Sequence, residues 1–234
     1  MFIGVSGLIG AGKSTLTQQL ADELERREML KAQDIQAAIA AGFPRKWKPV
    51  FEPVDNNPYL EDFYLDISRW TFNMQMFLLA KRFQQHQEVL WDPCHRDGGG
   101  IVQDRTIYED TIFARMHHED GLMVGRDWDT YISHFHIMQG FLRYPDLILY
   151  LKVSPETALE RIEERGRDEE RGKVSLTYLK SLYDGYEQFV AEMKRFTVVV
   201  EIDWETYKPV SEVADLVLAS ARKESKFLRS LVRI

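Results

Sequence analysis

Residues 7–15 read GLIGAGKST, which matches G-x-x-x-x-G-K-[ST] with Gly7, Gly12, Lys13 and Ser14 in the fixed positions. This loop restricts the fold more than any other feature, because it works between a buried strand and the N-terminus of a helix. Both flanks are present: the apolar run MFIGVS (1–6) precedes it and the helical pattern STLTQQLADEL follows. Glycine lets backbone N–H groups close around phosphate oxygens, and the helix N-terminus adds positive potential. Gly10, Ala11 and Thr15 belong to the same cradle. Lys13 is placed to reach the outer phosphates of a nucleoside triphosphate, and the Ser14 hydroxyl to ligate Mg2+.

The remainder of the chain alternates short apolar runs with longer helical patterns. PVFEP (49–53), GIVQD (100–104), LILYLKV (147–153) and FTVVVEI (196–202) join 1–6 as expected strands. Their apolar runs are mostly continuous, as suits strands covered on both faces of a parallel sheet. Helical patterns fall near 13–26, 31–41, 57–66, 69–91, 106–118, 126–140, 154–165, 175–195 and 209–223. Ser154 followed by Pro155 and Glu156 is a helix start, a hydroxyl cap and then proline at the first helical position. The alternation predicts a doubly wound α/β fold, a five-stranded parallel sheet flanked by helices, in one domain over 1–234.

Composition narrows the partners. A net charge of −7 argues against a bulk electrostatic grip on nucleic acid or on anionic membranes. One cysteine, Cys94, excludes an internal disulfide framework and fits a reducing, cytoplasmic setting. No apolar run approaches the ~18 residues that span a bilayer. The first residues lack the basic start of a signal peptide, and Gly and Lys interrupt their apolar part early.

Ligands of an open parallel sheet bind beyond the carboxyl ends of its strands. Glu52-Pro53 follow the second strand, and Asp104-Arg105 end the third. After the fourth strand and its helix comes RIEERGRDEERG (161–172), with four arginines and five acids in a dozen residues. By itself such a run is an ordinary solvated helix face. Topology nevertheless brings all three groups to the edge that carries the phosphate loop, which assembles the parts needed for phosphoryl transfer.

The segments GLIGAGKST, EPVDNNPYLEDFY, RWTFNMQMFLLAKRF, DRTIYED and RIEERGRDEE, in that order, resemble the deoxynucleoside kinase family. These P-loop enzymes move the γ-phosphate of ATP to a nucleoside 5′-hydroxyl, a nucleotide-salvage reaction supplying DNA precursors. The resemblance spans residues 2 to about 190, and EPVDNNPYLEDFY is nearer to the bacterial deoxyadenosine and deoxyguanosine kinases than to animal members. It implies ATP and Mg2+ as cofactors, a helix-packed homodimer, and roles for particular residues. Glu52 stands where the family has its general base, Asp104 where an acid holds Mg2+ through water, and Arg105 where an arginine braces the base and the transferring phosphate. Gln75 matches the residue that reads the base edge, Arg82 and Asp110 the pair beside it, and Phe113 the ring that stacks on the base. Tyr64 and Glu170 match the pair that binds the sugar 3′-hydroxyl. Arg161, Arg165 and Arg167 match the lid (about 161–172) that closes on ATP, with Gly166 ending the preceding helix.

Residue chemistry supports parts of this assignment. Gln75 and Arg82 are seven apart and share one helix face with Leu78 and Leu79 between them. Arg offers only donors and ionised Asp only acceptors, which together suit an acceptor beside an amino group, as in cytosine and adenine, and guanine with rearrangement. The expected substrates are therefore a purine deoxynucleoside or deoxycytidine. An Arg82–Asp110 bridge that merely joins two helices, and a Phe113 that is only core, fit the sequence too.

A nucleoside monophosphate kinase such as a thymidylate kinase shares the loop, but it needs cations for the acceptor's phosphate. Here Val54, Asp55 and two asparagines follow Glu52-Pro53, which is a poor phosphate seat. A GTP-dependent switch would want N-K-x-D, and the chain has no Asn-Lys pair. The histidines at 117–118 and 134–136 lack metal-ligand spacing. The segment 28–48, with PRKWK at 44–48, is longer than the resemblance to bacterial members implies and reads as a surface elaboration with no assigned role. The tail 222–234 reads equally as a dimer element or a last packed helix.

Overall fold

The computed structural model describes residues 1–31, 47–52, 57–92, 94, 99–166, 172 and 174–231. Among them the chain runs β1 (Phe2–Gly7), α1 (Lys13–Lys31), β2 (Trp47–Val50), α2 (Leu60–Leu65), α3 (Ile67–Trp91) and β3 (Gly100–Asp104). It continues through a 3-10 turn (Ile107–Glu109), α4 (Asp110–Glu119), α5 (Gly125–Gln139), β4 (Leu147–Lys152), α6 (Pro155–Arg165), α7 (Leu176–Met193), β5 (Val198–Asp203) and α8 (Val210–Leu231). The strands form one all-parallel sheet in the order β2-β3-β1-β4-β5.

Continuous apolar runs became the inner strands. Every residue of β1 and β3 is buried, and β4 is buried up to Lys152, whereas the edge strands β2 and β5 are partly open. Pro49, which has no N–H to donate, sits in edge strand β2, where it is tolerated. That strand is displaced from the expected 49–53 to 47–50, so the chain has already left the sheet when it reaches Glu52. The helix expected over 106–118 is divided, because Thr106 and Glu109 form a capping box around the 3-10 turn before α4 begins at Asp110. Helix α6 follows expectation: Ser154 Oγ accepts from Thr157 N–H, Pro155 takes the first turn, and Gly166 closes the helix in the left-handed conformation.

The core lies between the sheet and its helices, with Ile3, Val5, Val102, Ile148 and Leu149 at 0% exposure. Since β1 is central and its neighbours β3 and β4 extend to either side, the loop after β1 opens at the reversal of strand order, where α/β sheets bind ligands. The helix expected at 31–41, most of the 28–48 segment, and residues 167–171 and 232–234 lie outside the described residues. Helix α8 carries the backbone of the basic tail to Leu231.

Candidate active site

The phosphate loop is held open by backbone that only glycine adopts easily. Gly10 and Gly12 have φ of 84° and 83°. A Cβ on Gly10 would sit 2.5 Å from the Ala158 carbonyl oxygen and 2.9 Å from Ile162 of α6, so loop and helix pack without room for a side chain. Lys13 is buried, and its ammonium donates to the Leu8 carbonyl at 2.8 Å. Burial, reinforced by the nearby Arg105 cation, lowers its pKa to about 8.

Strand register sets the next contact. Val5 of β1 is level with Asp104 of β3, which brings the end of β3 beside the start of α1. Ser14 Oγ donates to Asp104 Oδ2, while the buried Asp104 Oδ1 has no hydrogen-bond partner among the described residues. A hydroxyl and a carboxylate with a free lone pair are the hard oxygen donors that Mg2+ accepts alongside phosphate and water, so these residues fit the ion.

Beyond Asp104 the chain turns sharply. Arg105 has φ 58° and is the one non-glycine residue with positive φ among the described residues. That conformation costs about 1–2 kcal/mol for an L-residue with a Cβ, and it persists only where neighbours fix it. The turn sends the guanidinium over the Phe113 ring, 4.7 Å from its centroid, with Nε 3.7 Å from Glu52 Oε2.

Glu52, two residues past the end of β2, meets two arginines. Its Oε1 accepts from Arg82 Nη2, and its Oε2 faces Arg105. Burial alone would raise its pKa, but Arg105, Arg82 and Lys13 together outweigh burial and bring it down to about 2. Arg82 is 2% exposed and pairs through its other nitrogen with Asp110 at the start of α4, itself 1% exposed. The sequence assigns Arg82 to Asp110 and Arg105 to Glu52; in the folded chain Arg82 joins both carboxylates. Gln75 is buried on the same face of α3 as Arg82, with Leu79 between them, and Phe113 is 9% exposed. Helix α2 carries Tyr64, whose side chain lies outside the described part of the structure.

Of the residues expected to form a lid, Arg167 and Glu170 lie outside the described residues. Arg165 is an exposed residue in the last turn of α6. Arg161 is tied down: its Nη2 donates to the Trp204 and Glu205 carbonyls, both at 2.9 Å, and its Cζ lies 4.2 Å from the Tyr207 ring centroid. Tyr207 in turn covers the phosphate loop, since a Cβ on Gly12 would come within 3.2 Å of its ring. Trp204, Tyr207 and Lys208, with Thr15, Leu16 and Gln19 of α1, line a cleft of about 810 Å³ beside the loop. Apart from Thr15, none of these residues is marked by a motif, and sequence reasoning missed them. The available signal was positional, because WETYKP follows β5 and so emerges at the same sheet edge as the other site residues.

His117 is packed against Phe63 and Tyr178 and its pKa is lowered to about 4 by burial, so it is neutral at ordinary pH. No group of three potential metal-ligating side chains occurs among the described residues.

A triphosphate loop with an oxygen pair for Mg2+, facing a carboxylate held by two arginines, defines a P-loop phosphotransferase. Comparison with known proteins makes the class specific. The family model for deoxynucleoside kinase matches residues 3–224, and the chain belongs to that family. A deoxyadenosine kinase of Dictyostelium discoideum is 41% identical over 217 residues, covering 93% of this chain and 78% of that protein. A deoxyadenosine/deoxycytidine kinase of Bacillus subtilis is 40% identical over 192 residues, covering 81% and 76%. Among solved structures, a deoxyadenosine kinase from M. mycoides with dCMP and dCDP bound superposes with a TM-score of 0.72 at 27% identity. The superposition covers 95% of this chain and all of that one. The chain is thus an ATP-dependent phosphotransferase of the deoxynucleoside kinase type. Among the described residues, no helix is long and apolar enough to cross a membrane.

Proposed function

We propose that this enzyme phosphorylates the 5′-hydroxyl of a purine deoxynucleoside, or of deoxycytidine, with Glu52 orienting the hydroxyl and Arg82–Asp110 reading the base. The observation that carries the proposal is the chain Asp110–Arg82–Glu52, its Arg82 and Asp110 buried, which links a base-reading pair to the reacting carboxylate. A relative's specificity points the same way, since the Dictyostelium deoxyadenosine kinase shares 41% identity.

In this reading the triphosphate lies on the loop from Gly7 to Thr15, including Gly10, Ala11 and Gly12, with Lys13 on its outer phosphates. The donor base enters the cleft under Tyr207, whose ring offers a stacking face. Ser14, and Asp104 through water, would hold Mg2+, which when bound would supply positive charge to the phosphates. The nucleoside base lies against Phe113 and Gln75, and Tyr64 and Glu170 take the 3′-hydroxyl. The 5′-oxygen attacks the γ-phosphorus, a new O–P bond forms, the bond to the β-phosphate oxygen breaks, and ADP leaves. With a pKa of about 2, Glu52 is a weak base. That suffices for a loose transition state, where the hydroxyl must be oriented early and deprotonated late. Arg105 and the lid arginines Arg161, Arg165 and Arg167 meet the charge on the transferring group, their planar forks matching phosphate oxygens. The lid, the tail and the segment 28–48 are parts of a single P-loop kinase domain, and the active form is a homodimer, which light scattering would check.

Asp110→Ala tests the base assignment. It should weaken deoxyadenosine, deoxyguanosine and deoxycytidine at least about tenfold more than thymidine in kcat/KM, since a buried donor is left unpaired against its base. Equal losses for all four substrates would make the Arg82–Asp110 pair a helix-joining bridge and nothing more.

A further inference from the structure

Glu109 is a fully buried acid that no step above uses. Its Oε1 accepts from Ser6 Oγ at 2.7 Å and from the Thr106 N–H at 3.1 Å, and its Oε2 accepts from the Tyr186 hydroxyl at 2.9 Å. Each donor comes from a different place. Ser6 directly precedes the first glycine of the phosphate loop, Thr106 directly follows left-handed Arg105, and Tyr186 belongs to α7. On the other side of the elbow, the Arg105 N–H donates to the Val5 carbonyl at 3.1 Å. The residue in strained backbone is therefore clamped on both flanks, and both clamps lead back to β1.

We propose that Glu109 is a positioning residue, which sets the Arg105 guanidinium relative to the phosphate loop by tying β1, the Arg105 elbow and α7 to one carboxylate. The Thr106 N–H can only donate, and the Ser6 and Tyr186 hydroxyls lie where they can donate too, an arrangement that suits a carboxylate. Burial pushes its pKa up, and Arg105, the Ser6 hydroxyl, Lys13 and the Thr106 N–H act against burial. A carboxylate that only stabilised the fold would need no connection to both phosphate-facing elements. Here the donor loop and the acceptor-side arginine share one anchor, so a shift of either is transmitted to the other. Displacing a positioned group by about 1 Å can cost up to 10²-fold in rate without changing what binds.

The inference rests on the placing of Arg105 at the transferring phosphate, and the test separates the two. Glu109→Gln keeps the shape and one acceptor oxygen but removes the charge, and Tyr186→Phe removes a single donor. The expected result is a kcat lower by about tenfold in Glu109→Gln and about threefold in Tyr186→Phe. Both KM values should stay within about threefold, and the melting temperature within about 4 °C of the parent. In an Arg105→Lys background the same changes should have almost no further effect on kcat, because the group they position is gone. Should Glu109→Gln not fold, Tyr186→Phe in the two backgrounds decides alone. Unchanged kcat, KM values that rise as kcat falls, or losses that multiply in the Arg105→Lys background would each overturn the proposal. A wild-type kcat in Arg105→Lys itself would instead remove Arg105 from the reaction.

Discussion

Replacing Glu52 by Gln isolates the charge that meets Arg82 and Arg105. Ionised Glu52 is favoured by Arg105, Arg82 and Lys13 against the opposing effect of burial, and the balance moves its pKa from about 4.5 to about 2. A difference of about 2.5 units corresponds to roughly 3 kcal/mol of preference for the carboxylate, an upper figure because the side chain is 23% exposed. Gln has the same length but neither the charge nor the capacity to accept from two arginines while ordering a hydroxyl. Arg82 keeps Asp110, so the pocket should hold its shape, whereas Arg105 loses its carboxylate. A positioned base contributes typically 10²–10⁴-fold, and a group this acidic belongs at the lower end, so turnover should fall about 10²-fold, or roughly 2.7 kcal/mol. Steady-state kinetics with ATP and deoxyadenosine would measure this, with calorimetry of ATP binding as the control for an intact donor site. The folded pKa is depressed, so the stabilising contribution of Glu52 is complete above its unfolded value near 4.5 and lost as pH falls toward 2. The melting temperatures of parent and variant should converge over that window. Turnover within about threefold of the parent would refute the role.

Two further outcomes concern the donor side. Lys13 has its pKa lowered to about 8, so the free enzyme loses the loop cation as pH rises through 8, and kcat/KM for ATP should show an alkaline fall there. Because its folded pKa lies below its unfolded one, charged Lys13 opposes folding, and its unfavourable contribution should be relieved between pH 8 and 10.5; a flat kcat/KM from pH 7 to 10 would contradict this. Tyr207→Ala should raise KM for ATP about tenfold, the scale of one base–aromatic stack, and leave KM for the nucleoside within about twofold. A nucleoside-specific effect would place the donor base elsewhere.

Much of this site is legible in the chain itself. The phosphate loop, Asp104 and Arg105 occupy sequence-marked positions, a glycine motif or the polar end of a buried strand. Gln75 and Arg82 stand out through helical spacing, with Leu78 and Leu79 between them. What resists reading is side-chain reach between separate elements. Nothing in EPVDNN or in AKRF says that Arg82 spans from Asp110 to Glu52, since that depends on where β2 ends relative to α3. Glu109 looks like any acid in DRTIYED until folding brings Ser6 and Tyr186 to it. Tyr207 carries no fixed spacing from the loop it covers, and an exposed aromatic after an edge strand is common. The arginine run divides similarly: Gly166 ends α6 as its residue type predicts, while Arg161 packs on a ring that lies far along the chain from the run.

Phosphoryl transfer to a nucleoside is tested most directly by following γ-labelled phosphate from ATP. The purified chain would be offered each of the four deoxynucleosides, then deoxynucleoside monophosphates, then no acceptor. The expected result is label on the 5′-monophosphate of deoxyadenosine, deoxyguanosine or deoxycytidine, and little label on thymidine or in free phosphate. Label appearing only on diphosphates made from monophosphates, or only as inorganic phosphate, would contradict it.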